Sequence, residues 1–162
     1  MPFQQTKKYY SEADALKVAR KYCAFQERSH SEVRTRLLAL GQRGLTLENI
    51  IAKLIEENFL NEERFACAFA TGKFRMKKWG RQKIENELKL RKVSSYCINK
   101  AMALIENSEY EKTLQTVMLK KWKSTKGIQE YQRKIKTAQY LISRGYESEM
   151  VWQKLKEVSD EK

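Results

Sequence analysis

The stretch Asn58–Val93 reads NFLNEERFACAFATGKFRMKKWGRQKIENELKLRKV and decides the fold that we predict for this chain. Asn61 is followed by two glutamates, and this order favours a helix start because the amide caps free backbone N–H groups while the acids complement the helix dipole. Gly80 interrupts the helical pattern, and apolar residues at helical spacing predict a further helix over Arg81–Leu90. The stretch therefore contains the end of one small helical unit and most of the next.

The same pattern of three short helices recurs before and after this stretch. Leu37, Leu88 and Leu141 each stand four residues before a predicted turn. The predicted fold is all-α, built from three tandem three-helix repeats. Their bounds, after an N-terminal tail at 1–10, are 11–60, 61–107 and 108–162. Because such small units bury little surface alone, we expect them to stack into an elongated, curved molecule. A compact globule of nine helices is the alternative.

Capping signals and apolar spacing predict details of these helices. Ser11, Ser29 and Ser108 each precede an acidic residue by three positions, which is the spacing of a capping box. Thr46 is predicted to cap the third helix. Large apolar side chains assigned to inner helix faces include Phe65, Phe69, Leu38, Ile55, Met76, Tyr131 and Ile142.

The composition excludes several classes of protein. Good helix formers dominate the chain, and its single proline is Pro2. No signal peptide is evident, and no apolar run approaches the roughly 18 residues of a membrane span, so we expect a cytoplasmic protein without membrane contact. The three cysteines, Cys23, Cys67 and Cys97, are far apart at apolar helix positions. They are expected to be reduced core thiols.

The charge predicts a polyanionic partner. The chain has 33 Lys and Arg against 20 Asp and Glu, a formal charge of +13, and proteins this basic often bind nucleic acid or nucleoprotein. The excess is clustered, with nine basic residues and two acids between Lys73 and Lys92. Cations near helix C-termini also complement the helix dipole, by roughly a few tenths of a kcal/mol each, which explains part of the clustering without a ligand.

Three basic clusters supply the candidate binding residues. Trp79, inside the first cluster, either stacks on a base or a partner, or packs under the turn between two helices. The full set of candidates is Lys73, Arg75, Lys77, Lys78, Trp79, Arg81, Lys83, Lys89, Arg91, Lys120, Lys121, Lys123, Arg133 and Lys134.

The sequence offers no pattern that predicts catalysis. The only histidine, His30, stands between two serines at a predicted helix start. No second histidine or cysteine lies at metal-ligand spacing, and neither type of glycine-rich phosphate loop occurs. We therefore expect a protein that is not an enzyme, with no catalytic residue, no metal site and no cofactor.

Ordered short motifs across residues 13–158 resemble the RecX family of RecA regulators. They are Ser31–Arg34 with Leu37, Phe59–Ala66, Gly80 with Lys83–Ile84 and Glu87–Leu88, and Tyr140–Tyr146. The chain departs from the family pattern at Asn61 and Glu62, where aspartates are usual, at Lys92, where glycine is usual, and in an insertion over Gln42–Gly44.

The resemblance implies a function in DNA repair and recombination, including the SOS response. A RecX-like protein binds the active RecA–DNA filament along its groove and limits filament growth, ATP turnover and strand exchange. It also implies a monomer that contacts single- or double-stranded DNA weakly and without sequence selectivity.

A stand-alone nucleic-acid-binding protein is the alternative, because three-helix units also resemble helix-turn-helix modules. In that case the helix Arg81–Leu90 is the candidate recognition helix, with Arg81, Gln82, Asn86 and Lys89 available for bases. Tight, sequence-selective DNA binding without RecA would distinguish this alternative.

Overall fold

A computed structural model describes residues 9–160, which form nine α-helices and no strand. The helices are α1 (Glu12–Phe25), α2 (His30–Ala39), α3 (Gly44–Glu56), α4 (Glu62–Lys77), α5 (Arg81–Leu90), α6 (Ser95–Ala103), α7 (Asn107–Ser124), α8 (Glu130–Ser143) and α9 (Ser148–Asp160). The predicted all-α fold of tandem helices is thereby confirmed. The predicted tail lies outside the described residues except for Tyr9 and Tyr10. Within the described range, no helix is both long enough and apolar enough to cross a membrane.

Three of the predicted helix caps are confirmed. The Ser11 hydroxyl accepts a hydrogen bond from Asp14 N at 3.1 Å, and the Asn61 amide accepts one from Arg64 N at 2.9 Å. Ser29 and Glu32 form a complete capping box, with both reciprocal bonds present at 3.1 and 2.9 Å. Each side chain satisfies a backbone group that would otherwise lack a partner in the first turn.

Two predicted caps are wrong. The cap position of α3 is Arg43 and that of α7 is Glu106, and neither makes a side-chain capping bond. Both residues are extended, so the helical path begins immediately after them. Thr46 and Ser108 consequently lie inside the first turn of their helices.

The buried side chains form two separate cores. One is built by α1–α3 with Leu60, and the other is shared by all six helices from α4 to α9. Cys23 and Cys97 are buried and Cys67 is half-buried, all three as free thiols, as predicted.

Some residues assigned to inner faces are exposed. Met76 is 83% exposed near the end of α4, two residues beyond Phe74, the last buried residue of that helix. Tyr131 is 75% exposed in the first turn of α8, before the buried part of that helix begins. The remaining exposed members of that set, each more than a third exposed, are Leu38, Ile55 and Ile142.

Two glycines join α4–α6 to α7–α9. Gly80 N donates to Arg144 O at 2.7 Å and Gln82 N donates to Gly145 O at 3.0 Å, so the turn before α5 lies directly on the turn before α9. A Cβ on Gly80 would lie 2.2 Å from the Gly145 carbonyl carbon, and Gly145 itself has a φ of +99°. We call this contact the glycine junction. It requires two residues without side chains, and one of them must also accept a left-handed backbone.

Polar contacts connect α1–α3 to the rest of the molecule. Arg64 Nε lies 2.6 Å from Glu27 Oε1, and the same guanidinium donates to Asn58 O at 2.9 Å. Arg91 Nε lies 3.4 Å from Glu32 Oε1. Ion pairs and hydrogen bonds therefore contribute to this connection, whereas α4–α9 are held together by a common apolar core.

Candidate functional site

Trp79 occupies the turn between α4 and α5, half-buried against the core of α4–α9. Its ring meets Phe69 edge to face, with centroids 6.4 Å apart. Lys73 Nζ and Lys83 Nζ lie 5.1 and 4.4 Å from the Trp79 ring centroid, within the range of a cation–π contact. Of the two interpretations of Trp79, this geometry supports packing under the turn.

Arg81 is engaged in the fold. Its Nη2 donates to Asn107 Oδ1 at 2.7 Å and to Ile105 O at 3.2 Å, and its guanidinium lies 4.0 Å from the Tyr110 ring centroid. These contacts attach the start of α5 to the start of α7. Arg81 therefore contributes to the fold and is not a free surface cation.

Arg91 and Arg133 are also held by neighbours. Arg91 Nη1 lies 2.8 Å from Glu87 Oε2, and the guanidinium stacks 4.8 Å from the Phe69 ring centroid. Arg133 Nη2 donates to Trp122 O at 2.6 Å, and Arg133 Cζ lies 3.8 Å from the Trp122 ring centroid. Arg133 therefore supplies a partner to the C-terminal end of α7, where carbonyl groups lack helical partners.

Two candidate lysines each form an ion pair with a glutamate one helical turn earlier in the same helix. Lys89 Nζ lies 2.9 Å from Glu85 Oε1, and Lys134 Nζ lies 3.8 Å from Glu130 Oε1. The Lys89 pair is exposed and the Lys134 pair is partly exposed, so both contribute little stability and compete only weakly with an external anion.

Five candidate cations are exposed and have no hydrogen-bonding or ion-pair partner for their side chains within residues 9–160. They are Arg75, Lys77, Lys78, Lys120 and Lys123. Lys78 caps the C-terminal end of α4 with a left-handed backbone, φ 57°. These side chains are the part of the predicted site that is free to meet a polyanion.

An open groove with a volume of about 570 Å³ is lined by three of the candidate lysines, Lys78, Lys120 and Lys121. One wall is a single face of α7 from Glu109 to Ser124, and the other is formed by Tyr140 and Arg144 at the end of α8 with Lys78. We call it the α7 groove. Its charged lining comprises Lys78, Lys112, Lys120, Lys121, Arg144 and a single acid, Glu109.

Lys112 and Arg144 were not among the sequence candidates. Lys120 follows Lys112 by eight residues, or about 80° around α7, whereas Lys121 lies about 180° from Lys112, so helical spacing gave only a weak signal for Lys112. No comparable signal existed for Arg144, which reaches the groove from another helix and donates to Lys77 O.

The groove is fixed at one end by two buried tyrosines beside the glycine junction. Tyr146 OH donates to Lys78 O at 2.7 Å, while Tyr110 OH accepts from Arg81 N at 3.1 Å and donates to Glu147 Oε2 at 2.7 Å. Burial raises the pKa of Tyr146 to about 12. Burial also raises the pKa of Tyr110 above its usual value, and donation to Glu147 adds to that rise. Both phenols are therefore protonated donors at neutral pH.

Histidine, cysteine and carboxylate side chains do not cluster as metal ligands anywhere in the part of the chain that the structure describes. His30 is the first residue of α2 and is half-buried. Five cations and one carboxylate line the α7 groove, an arrangement that can bind an anion.

Comparison with known proteins gives consistent matches. Models of the second and the third three-helix domain of RecX match residues 61–102 and 109–155. A protein named Regulatory protein RecX from Prosthecochloris aestuarii is 32% identical over 146 residues, which are 89% of this chain and 93% of that protein. Another of that name, from Clostridium tetani, is 29% identical over 90% of this chain and 63% of its own length, so this chain spans less than two thirds of it.

Two crystal structures have the same fold. The structure of RecX from Lactobacillus salivarius has a TM-score of 0.80 at 18% identity, covering 91% of this chain and 96% of that one. A second structure, described as regulatory protein RecX, has a TM-score of 0.78 at 19% identity and covers 90% of this chain and 73% of the other.

Proposed function

Because this chain belongs to the RecX family of regulatory proteins, we propose that it regulates the RecA recombinase by binding the RecA–DNA filament, without catalysing a reaction of its own. Binding along the filament groove would limit filament growth, ATP turnover and strand exchange, and so restrain DNA repair and recombination in the cytoplasm. The observation that carries this proposal is the combination of family membership with a set of unpaired surface cations.

The tandem arrangement of the helices favours an elongated binding partner over a small molecule. The first three helices have their own core and the other six share a second, and the free cations lie on two different helices of the second core, α4 and α7. A tandem helical array of this kind presents a continuous surface to a filament more readily than to a small molecule.

The environment of α5 favours filament binding over base-specific recognition. A recognition helix needs free side chains that reach base edges. Here Arg81 is bonded to Asn107 and Ile105, and Lys89 pairs with Glu85. Arg81, one of the two cations that the alternative requires, is therefore held within the fold, whereas the exposed pair of Lys89 competes only weakly with an external anion.

The test is RecA-dependent ATP hydrolysis on single-stranded DNA, titrated with this protein. We expect hydrolysis to fall as the protein is added. The double variant Arg75→Ala/Lys77→Ala should raise the half-inhibitory concentration by about two- to thirty-fold, taking about 0.2–1 kcal/mol for each exposed charge. Its control is Lys17→Ala/Lys21→Ala, which removes the same charge from the exposed side of α1. Unchanged hydrolysis at excess wild-type protein would contradict the proposal.

A further inference from the structure

The α7 groove combines a linear shape with an excess of cations. Glu109 and Ser124 mark the ends of its α7 wall, and this distance is about 22 Å at 1.5 Å per residue. Five cationic side chains and one carboxylate line it. Of the cations, Arg144 donates to Lys77 O and Lys121 Nζ lies 4.8 Å from the Tyr140 ring centroid. The others have no ion-pair partner among the described residues.

We propose that the α7 groove binds the phosphate backbone of a single-stranded nucleic acid. This inference rests on the proposed function, because it identifies which component of a nucleoprotein filament one basic surface would contact. It assigns this task to the face of α7, which adjoins the end of α4, since Lys78 lines the groove and Arg144 donates to Lys77 O.

The dimensions fit a nucleic-acid strand. A wall of about 22 Å accommodates roughly six phosphates at the 3.4 Å axial spacing of one strand in B-form DNA, and fewer if the strand is extended. Lys112 and Lys120 are eight residues apart, or about 12 Å along the helix, so their ammonium groups would meet different phosphates rather than share one. Each contact would release counterions from the strand.

The length of the groove and the apolar surface within it favour a nucleic-acid strand over an acidic protein segment. The planar fork of arginine binds carboxylate and phosphate alike, and the one arginine in the groove is already bonded to a backbone carbonyl. The four lysines act as point charges that accept a phosphate from many directions. Between them, Val117 and Tyr140 provide an apolar surface that suits the sugar and base faces of a single strand.

Direct binding without RecA tests this inference. Fluorescence anisotropy of a labelled twelve-residue oligothymidylate would be measured between 50 and 200 mM salt for the wild-type protein and for Lys112→Ala/Lys120→Ala/Lys121→Ala. Three lost phosphate contacts reduce the salt slope by about two, so the ratio of wild-type to variant affinity should be about 20-fold larger at 50 mM than at 200 mM. The control, Lys17→Ala/Lys21→Ala/Lys156→Ala, removes the same charge elsewhere and should have a much smaller effect.

A second variant changes affinity in the opposite direction. Glu109→Gln removes the only negative charge of the lining, and we expect it to increase oligothymidylate affinity by about two- to five-fold at 50 mM salt. A role of the groove residues in folding alone would not produce this increase.

Three results would overturn the inference. They are equal losses of affinity in the groove variant and its charge-matched control, an unchanged affinity for Glu109→Gln, and oligoglutamate of the same length binding to the groove as tightly as oligothymidylate.

If wild-type protein binds DNA through the groove but leaves RecA hydrolysis unchanged, the proposed function fails and the groove assignment stands. If it inhibits RecA while the groove variant binds DNA normally, the groove assignment fails alone.

Discussion

Replacing Gly80 with alanine should separate the two halves of the α4–α9 core. The backbone of Gly80 is compatible with alanine, since its φ is −76° and its ψ is 165°. The obstacle is space, because the new Cβ would lie 2.2 Å from Gly145 C and 2.3 Å from Tyr146 N. Both obstructing atoms are backbone atoms, which cannot move aside as a flexible side chain would.

The expected cost follows from two contributions. Overpacking typically costs about 1–3 kcal/mol, and separation of the turns also removes the bonds from Gly80 N to Arg144 O and from Gln82 N to Gly145 O. At about 1 kcal/mol for each bond, the free energy of unfolding should fall by about 3–5 kcal/mol. For a chain of this length, that corresponds to a decrease in Tm of roughly 6–20 °C.

Thermal melting followed by circular dichroism measures the size of the effect, and amide hydrogen exchange measures its location. Exchange should accelerate in α8 and α9 and stay unchanged in α1–α3, which have a separate core. The control is Gly72→Ala within α4, where no atom outside that helix lies within 4 Å of the new Cβ, and it should stabilise by about 0.5–1 kcal/mol. A Gly80→Ala protein that melts like the wild type would refute the argument from close contact.

Three further predictions follow from single side chains. Because the pKa of Tyr146 is about 12 in the fold and near 10 when unfolded, its contribution to stability is complete below pH 10 and falls by about 1.4 kcal/mol per pH unit from there to pH 12. In urea unfolding, the free energy of unfolding of Tyr146→Phe should fall less than that of the wild type between pH 10 and pH 12. Equal falls in the two proteins would contradict this prediction. Lys92 has a φ of 58°, so Lys92→Gly should raise the free energy of unfolding by about 0.5–1 kcal/mol, and a lower stability would count against the strain. Arg81→Ala should cost about 1.5–3 kcal/mol in the same assay, whereas Lys77→Ala should stay within about 0.5; equal effects would show that the bonds of Arg81 do not stabilise the fold.

Local patterns in the sequence were sufficient for much of the helix arrangement. The helix predicted over Arg81–Leu90 has those bounds in the structure, and the caps at Ser11, Ser29 and Asn61 form as the spacing indicated. In each case the residues that carry the sequence signal lie within a few positions of the cap or helix that they predict. Periodicity was less reliable near the end of a helix, as the exposed Met76 illustrates.

Which cations are free could not be predicted, because their partners are distant in sequence. Arg91 meets Glu32 across 59 positions, and Arg81 bonds to Ile105 across 24. Arg133 bonds to the end of a different helix, at Trp122. A run of basic residues shows how much charge a segment carries, whereas the division between structural and available charge depends on tertiary contacts.

Most of the charges held by the fold are arginines, and most of the available charges are lysines. Donation from arginine to carboxylates or carbonyl groups recurs across the molecule, at Arg20, Arg34, Arg64, Arg81, Arg91, Arg133 and Arg144. Lysines instead supply most of the unpaired charge at the end of α4 and along α7. The planar guanidinium favours fixed, multiple hydrogen bonds, whereas the hydrated ammonium on a flexible stem makes contacts that are strong only at low salt. Under the proposed function, binding through such lysines should therefore respond to the charge density and salt around a filament far more than to the sequence of its DNA.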